Sequence, residues 1–386
     1  MKIKVLTLFS SCLFFLYSCS KEPAGDLTGE LPADTTGVPQ ISTKVILTGY
    51  EIIWGMDFLP NGDLIFGEKQ GKLYRRSNGT VTQISGFPPV LSSGQGGLLD
   101  IRVHPDYSEN GWIYACYAAS NPAGGGLLKL IRFEIAKDQV QNIENIFTTN
   151  GSNTWYGHYG SRILFDKANY LYLSVGEGGV GSYGGPNTTN TNAQDRTSSW
   201  GKIHRLRDDG SIPTDNPVIP GNAGPTSIYT YGHRNPQGLA LHPETGEIWE
   251  TEHGPRGGDE VNIIIRGANY GWPAYSIGVN YDGTTISSSH IATGIEAPVY
   301  TWTPSIATCG IAFITSSKFK SWKGNLLVSG LVSQKLIRCV VEGNKIVEED
   351  VILNNSGRVR NVIQAPDGSI YVSIESPGRI IQILPE

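Results

Sequence analysis

Gly55-Met56-Asp57-Phe58-Leu59-Pro60-Asn61-Gly62-Asp63-Leu64-Ile65-Phe66 reads as a strand, a tight turn and a second strand. Pro60 presets one turn dihedral, and Asn61 and Gly62 accept the conformations that other residues resist. The same unit recurs along the chain. A second copy runs from Ile101 through His104-Pro105-Asp106 to Trp112-Ile113-Tyr114, and a third from Ile163 through Asp166 to Tyr170-Leu171-Tyr172-Leu173. A fourth runs from Leu239 through His242-Pro243 to Ile248-Trp249, a fifth from Ile311 to Leu326-Leu327-Val328, and a sixth from Val362 through Pro366-Asp367-Gly368 to Ile370-Tyr371-Val372.

The copies start near 55, 101, 163, 239, 311 and 362, so each interval holds four short strands and their loops. No long amphipathic helix interrupts them. Six such units predict an all-β fold, a six-bladed β-propeller of four-stranded antiparallel blades over residues 42–386. Ring closure removes the open sheet edges that invite aggregation, and Lys44-Val45-Ile46-Leu47 is expected to complete the last blade. The rival architecture is a pair of β-sandwiches.

Composition agrees. The chain has 48 Gly, 18 Tyr and 8 Trp in 386 residues, with 17% charged residues. A disordered chain would carry more charge and fewer aromatics, and a helical bundle would be poor in Gly. The net charge of −5 lacks the basic surplus of a nucleic-acid binder. At the N-terminus, Lys2 and Lys4 precede an apolar run too short to span a membrane comfortably. Leu16-Tyr17-Ser18-Cys19 resembles a bacterial lipobox. The reading is a lipoprotein signal peptide at 1–18, lipidation at Cys19, a flexible tether at 19–41 and an exported protein held to a membrane by its lipid alone. The alternative is an ordinary signal peptide cut nearby. Cys116, Cys309 and Cys339 remain, an odd number, so at least one is unpaired or pairs between chains.

In a propeller, the loop entering each innermost strand and the loop after the second strand open on one face. The entering loops carry Gln95, His158, Arg234-Asn235, Ser305, and Arg358 with Arg360. After second strands come Gly176-Glu177-Gly178 and Glu252-His253-Gly254-Pro255-Arg256. These residues are expected to converge near the axis. Arginines bind carboxylates through paired N–H donors. The carbonyls of Gly254 and Pro255 suit a hard cation such as Ca²⁺, and a histidine can act as a base near neutral pH. The site so drawn takes a planar polyanion, Ca²⁺ and a proton.

The motifs at 94–100 (GQGGLLD), 232–238 (GHRNPQG), 252–260 (EHGPRGGDE) and 269–273 (NYGWP) resemble those of the soluble pyrroloquinoline quinone (PQQ)-dependent aldose sugar dehydrogenases, the group that includes soluble glucose dehydrogenase. The resemblance runs from about Val45 to the C-terminus. It implies that His158 is the general base, with Glu177 orienting it and Gln95 near the reacting oxygens. It implies that Arg234 and Asn235 bind the quinone, that Arg234 steadies charge developing on it, and that Gly254 and Pro255 hold Ca²⁺ on the cofactor. Arg358 and Arg360 would grip its carboxylates, with His253 and Ser305 as further contacts. The implied reaction is oxidation of an aldose at its anomeric carbon to a lactone, with electrons passed to an external quinone or cytochrome.

Three positions depart from the pattern. Glu177 stands where some members have Asp, His253 replaces a Gln of soluble glucose dehydrogenase, and Val332 stands where the family has a cofactor-contacting Lys. Val332 favours a competing reading, a carbohydrate- or protein-binding propeller without cofactor. A Ca²⁺-dependent lactonase is a third, although it would need carboxylates and Asn rather than Arg at the axis. Asp259, Glu260, His104, His204, His233 and His242 are read as structural, His290 as solvent-facing, and Trp302 as a residue beside the pocket able to stack on sugar or quinone. The loops around 180–197 and 275–298 are expected to shape the sugar entrance.

Overall fold

A computed structural model describes residues 40–179, 183–289 and 291–386. Six four-stranded antiparallel sheets follow one another along the chain. Their innermost strands are Ile53–Phe58, Leu98–Val103, Ile163–Phe165, Pro236–Leu241, Thr308–Phe313 and Arg358–Gln364, one per blade, at the places where the sequence repeats begin. Blades 1 to 5 each use four consecutive strands. Blade 6 takes its outermost strand from the other end of the chain: Ile41–Tyr50 pairs antiparallel with Gly378–Pro385, from Ile41 opposite Pro385 to Tyr50 opposite Gly378. The expected closing segment at Lys44–Leu47 lies within it. The leader, Cys19 and nearly all of the tether lie outside the described residues, as does His290.

The core is divided among the blade interfaces. Strand side chains alternate between faces, and in a propeller both faces of a blade are covered. In blade 1, Leu64 and Phe66 pack toward blade 6 with Leu47 and Ile380, whereas Ile65 packs toward blade 2 with Leu98 and Ile113. In blade 2, Ile113, Ala115 and Tyr117 face blade 1, while Tyr114, Cys116 and Ala118 face blade 3. Such near-continuous apolar runs are what two-sided burial requires. Glycine sets the spacing near the axis. A Cβ on Gly55 would fall 2.6 Å from the Leu99 carbonyl oxygen, and one on Gly238 would fall 2.4 Å from that of Cys309. Neighbouring inner strands approach this closely only where no side chain intervenes.

Carboxylates tie blades together as well. Asp57 of blade 1 accepts the Val103 N–H of blade 2 at 2.8 Å. Asp100 of blade 2 accepts the Ile163 N–H and the Arg162 guanidinium of blade 3, both at 2.8 Å and all buried. Helix is confined to Tyr107–Asn110 and the 3-10 turns of Ser317–Trp322 among the described residues, and no helix there is long and apolar enough to cross a membrane. Cys116, Cys309 and Cys339 are all buried free thiols.

Candidate active site

The loops at one end of the axis enclose a cavity of about 350 Å³ to which all six blades contribute. Its wall includes Lys69, Gln95, Gln237, His253, Val332, Arg358, Arg360 and Glu375. A larger cleft, about 600 Å³, lies at the outer side of blade 3, with Arg196 and His204 its only charged or titratable groups. Chemistry concentrates in the smaller, axial one.

One device builds this end. In four blades a glutamate at or just past the end of the second strand reaches back to the start of the first strand or to the segment entering it. Glu68 of blade 1 accepts the Glu51 N–H at 2.7 Å. Glu252 of blade 4 accepts the backbone N–H groups of Arg234, at 2.5 Å, and Asn235, at 3.2 Å. Glu375 of blade 6 takes the guanidinium groups of Arg358 and Arg360, with Nε distances of 3.0 and 2.6 Å. In blade 3, Glu177 Oε1 lies 2.5 Å from His158 Nδ1.

His158 is held from several sides. Its backbone N–H donates to Gln95 Oε1 at 2.9 Å, and the Gln95 N–H donates to the Tyr156 carbonyl at 2.7 Å. The two loops therefore clasp each other, and Gln95 places the histidine backbone. His158 has φ of +46°, flanked by positive φ at Tyr156 and Ser161. Such conformations are uncommon outside glycine and collect at functional sites. The ring is buried. Burial and then the Arg234 charge lower its pKa from the ordinary histidine value, against the opposing pull of Glu177. It is thus neutral near pH 7, with Nδ1 tied to a carboxylate. His253, among Arg234, His158, Arg360 and Arg358, is driven well below the usual value, first by burial and then by these neighbours.

Arg234 stacks over Trp272, with the guanidinium carbon 5.1 Å from the ring centre, and donates through Nη1 to the carbonyls of His253 and Gly254 at 3.1 and 3.0 Å. Its Nε and Nη2, Asn235 Nδ2 and His253 Nε2 are buried without a protein partner. Unpaired buried donors are costly, so such a set implies a ligand. With Arg358 and Arg360 it fits a planar, polycarboxylated molecule. A cation at Gly254 would share the carbonyl oxygen with Arg234. Elsewhere among the described residues, ligand atoms of His233, Glu250 and Glu252 lie within 4.8 Å of one another, fully buried behind Arg234, with the Asn262 amide donating to both glutamates.

Comparison with known proteins now bears on this site. The family model described as glucose/sorbosone dehydrogenase matches residues 50–382. The chain belongs to the glucose/sorbosone dehydrogenase family. It is 35% identical over 354 residues to the aldose sugar dehydrogenase YliI of Escherichia coli, covering 89% of this chain and 93% of that one. The crystal structure of the soluble aldose sugar dehydrogenase from Escherichia coli in its apo form superposes with a TM-score of 0.83 at 34% identity, over 90% of this chain and all of that one. The PQQ-bound aldose sugar dehydrogenase from Streptomyces coelicolor superposes with a TM-score of 0.72 at 28% identity, over 90% of this chain and all of that one.

In this member of the family, most of the expected residues divide into two groups. Gln95, His253, Arg358 and Arg360 line the axial cavity. His158, Glu177, Arg234, Asn235 and Gly254 form the buried wall beside it. Ser305 is turned away from both: its hydroxyl donates to Asp259, 2.8 Å from each carboxylate oxygen, while Asp259 also accepts the Gly254 N–H at 2.9 Å. Trp302 corrects an expectation. It is 6% exposed, sits in the outermost strand of blade 4 and packs on blade 5, and its Nε1–H donates to Glu349 at 2.9 Å. The two expected entrance loops do meet. Tyr183 binds Asp282 and Thr284, and the Gly184 N–H donates to Asn280 at 2.9 Å. Tyr281 reaches the cavity mouth. Lys69, Gln237 and Glu375 escaped the sequence reading. A signal for Glu375 existed, because it closes its second strand as Glu252 does.

Proposed function

We propose that this protein is an exported quinoprotein that oxidises aldose sugars at the anomeric carbon to lactones. The observation that carries the reading is the buried His158–Glu177 pair set beside an arginine-rich axial cavity. His158, neutral near pH 7, takes the proton of the anomeric hydroxyl on Nε2, since Nδ1 faces Glu177. The Glu177 carboxylate then offsets the charge of the imidazolium. Gln95 keeps the histidine loop in place. Bound PQQ would supply the hydride acceptor, with Ca²⁺ as the Lewis acid that polarises it. Arg234, Asn235 and His253 would hold the ring system through their unpaired donors, and Arg358 and Arg360 its carboxylates. Arg234 is also placed to steady developing negative charge. Gly254 and Pro255 would hold Ca²⁺ through their carbonyls, the Gly254 oxygen using its second lone pair while Arg234 occupies the first. Ser305 would need to leave Asp259 before it could touch cofactor.

The remaining assignments belong to the same reading. Residues 1–18 serve as a lipoprotein signal peptide, Cys19 carries the lipid, 19–41 form the tether, and an external quinone or cytochrome receives the electrons. The test is reduction of an acceptor dye by the protein with an aldose panel, with PQQ and Ca²⁺ added singly and together. Turnover requiring PQQ supports the proposal. Failure to bind PQQ would leave a binding propeller, the reading that Val332, exposed at the cavity rim, favours.

A further inference from the structure

Lys69 follows the second strand of blade 1 directly, and its side chain lines the axial cavity. Its backbone is fixed at the junction of blades 1 and 2. The Lys69 N–H donates to the Ile52 carbonyl, and the Leu98 N–H donates to the Lys69 carbonyl, both at 2.8 Å. Gly97 lies against it so closely that a Cβ there would fall 2.2 Å from the Lys69 oxygen. The ammonium donates to the carbonyls of Ser92, at 3.3 Å, and Gly94, at 2.7 Å. It forms no ion pair with a carboxylate among the described residues. An ammonium has three N–H donors, so one is left for the cavity.

The charge inventory of the wall is unbalanced. Lys69, Arg358 and Arg360 supply three cations, and Glu375 alone supplies an anion. The cations are close enough to act on one another: burial and then Arg360 lower the Lys69 pKa from the ordinary lysine value, against the opposing pull of Glu375 and Glu51. Gathering like charges in a partly buried space costs free energy, which an anionic ligand would reverse. A mere tie for the 92–94 loop would need hydrogen-bond donors but no charge. On blade 5, across the same cavity, Val332 contributes none.

We propose that Lys69 is a carboxylate-binding residue of the axial cavity, gripping the quinone cofactor together with Arg358 and Arg360. The ammonium would then come from blade 1 rather than from the Val332 position. This inference rests on the quinoprotein reading. The test titrates PQQ into the full chain and its K69Q and K69R variants, following tryptophan quenching at low and high salt, with thermal melts of each apo protein.

Losing one charge-assisted contact should weaken PQQ binding by K69Q about tenfold or more. It should also flatten the salt dependence, while K69R stays near wild type. Wild-type affinity in K69Q, or weaker binding with an unchanged salt dependence, overturns the inference. The second result would mean that Lys69 only ties the loop. If K69Q does not fold, K69M keeps the stem without the charge, and loss of fold in both would make Lys69 purely structural and overturn the inference too. A wild-type chain that fails to bind PQQ overturns the quinoprotein reading along with this one. Wild-type binding with K69Q equal to it overturns the Lys69 assignment alone.

Discussion

Blades 3 and 6 place a glutamate at nearly the same point of the fold and use it differently. Glu177 in blade 3 is wholly buried and meets the His158 imidazole. Glu375 in blade 6 is also buried but holds two guanidinium groups, one of them, Arg358, with 41% of its side chain exposed. Blade 4 offers a third variant, in which one Glu252 oxygen holds backbone N–H groups and the other lies 3.2 Å from the buried His233 ring. The comparison teaches that the propeller supplies a repeated anionic position, while the residue on the neighbouring loop decides its purpose. In blade 3 it meets the proposed base at the cavity wall, in blade 6 it anchors two guanidinium groups, and in blade 4 it braces backbone N–H groups beside the buried His233.

The sharpest way to break the comparison is His158→Gln. Removing a general base should lower kcat by about 10²–10⁴-fold, with a thermal melt close to wild type. Glu177→Gln should lower kcat by a comparable factor, up to about 10⁴-fold, because an amide neither fixes the imidazole tautomer nor offsets the imidazolium charge. It should also move the acid limb of the pH–rate profile. In the wild type the rate falls as pH drops through the His158 pKa, which lies below the ordinary 6.5. Glu177 holds that pKa up, so E177Q should shift the limb to lower pH while the plateau drops. An unmoved limb would remove Glu177 from the proton-transfer role.

For the anchor, Glu375→Gln leaves the buried Arg360 guanidinium without its carboxylate, a loss of about 3 kcal/mol or more, while solvent screens the exposed Arg358 pair. A denaturant-unfolding midpoint unchanged from wild type would show that Glu375 anchors nothing. For the brace, Glu252→Gln turns an amide N–H toward donors, leaving buried groups unsatisfied at a cost of about 1–3 kcal/mol. Denaturant unfolding would show it as a lowered midpoint.

The smallest effect concerns His253. Its folded pKa lies well below the ordinary value, so the unfolded chain binds the extra proton first as pH falls below about 6.5. Stability from this group is therefore complete above that pH and is lost on acidification. His253→Gln should flatten the acid slope of thermal stability, and parallel slopes would refute the assignment.

The fold was legible because each blade repeats a short period-2 pattern ended by turn residues, a local signal that sterics and solvation impose wherever it occurs. The site was legible only in outline. His158, Gln95 and Arg234 could be placed on one face because the repeat sets the register of their loops. The direction of a side chain inside a loop is set by what meets it in space. Trp302 shows the limit: its place next to the motif Ser305-Ile306 suggested a pocket, but pairing with Asp259 made it the outer strand of blade 4 and carried its indole to Glu349. Ser305 likewise found a carboxylate 46 residues away in sequence.

The amino-acid sequence by itself determined the number of blades, the closing N-terminal strand and the chemistry available at one end of the axis. Those follow from periodicity and residue type. Only the tertiary structure decided which glutamate meets which loop, that Arg234 takes the Gly254 carbonyl, and that Lys69 joins the two arginines. Such contacts bring together residues far apart in the chain, and hydrogen-bond geometry and charge are settled only at the distances that packing imposes.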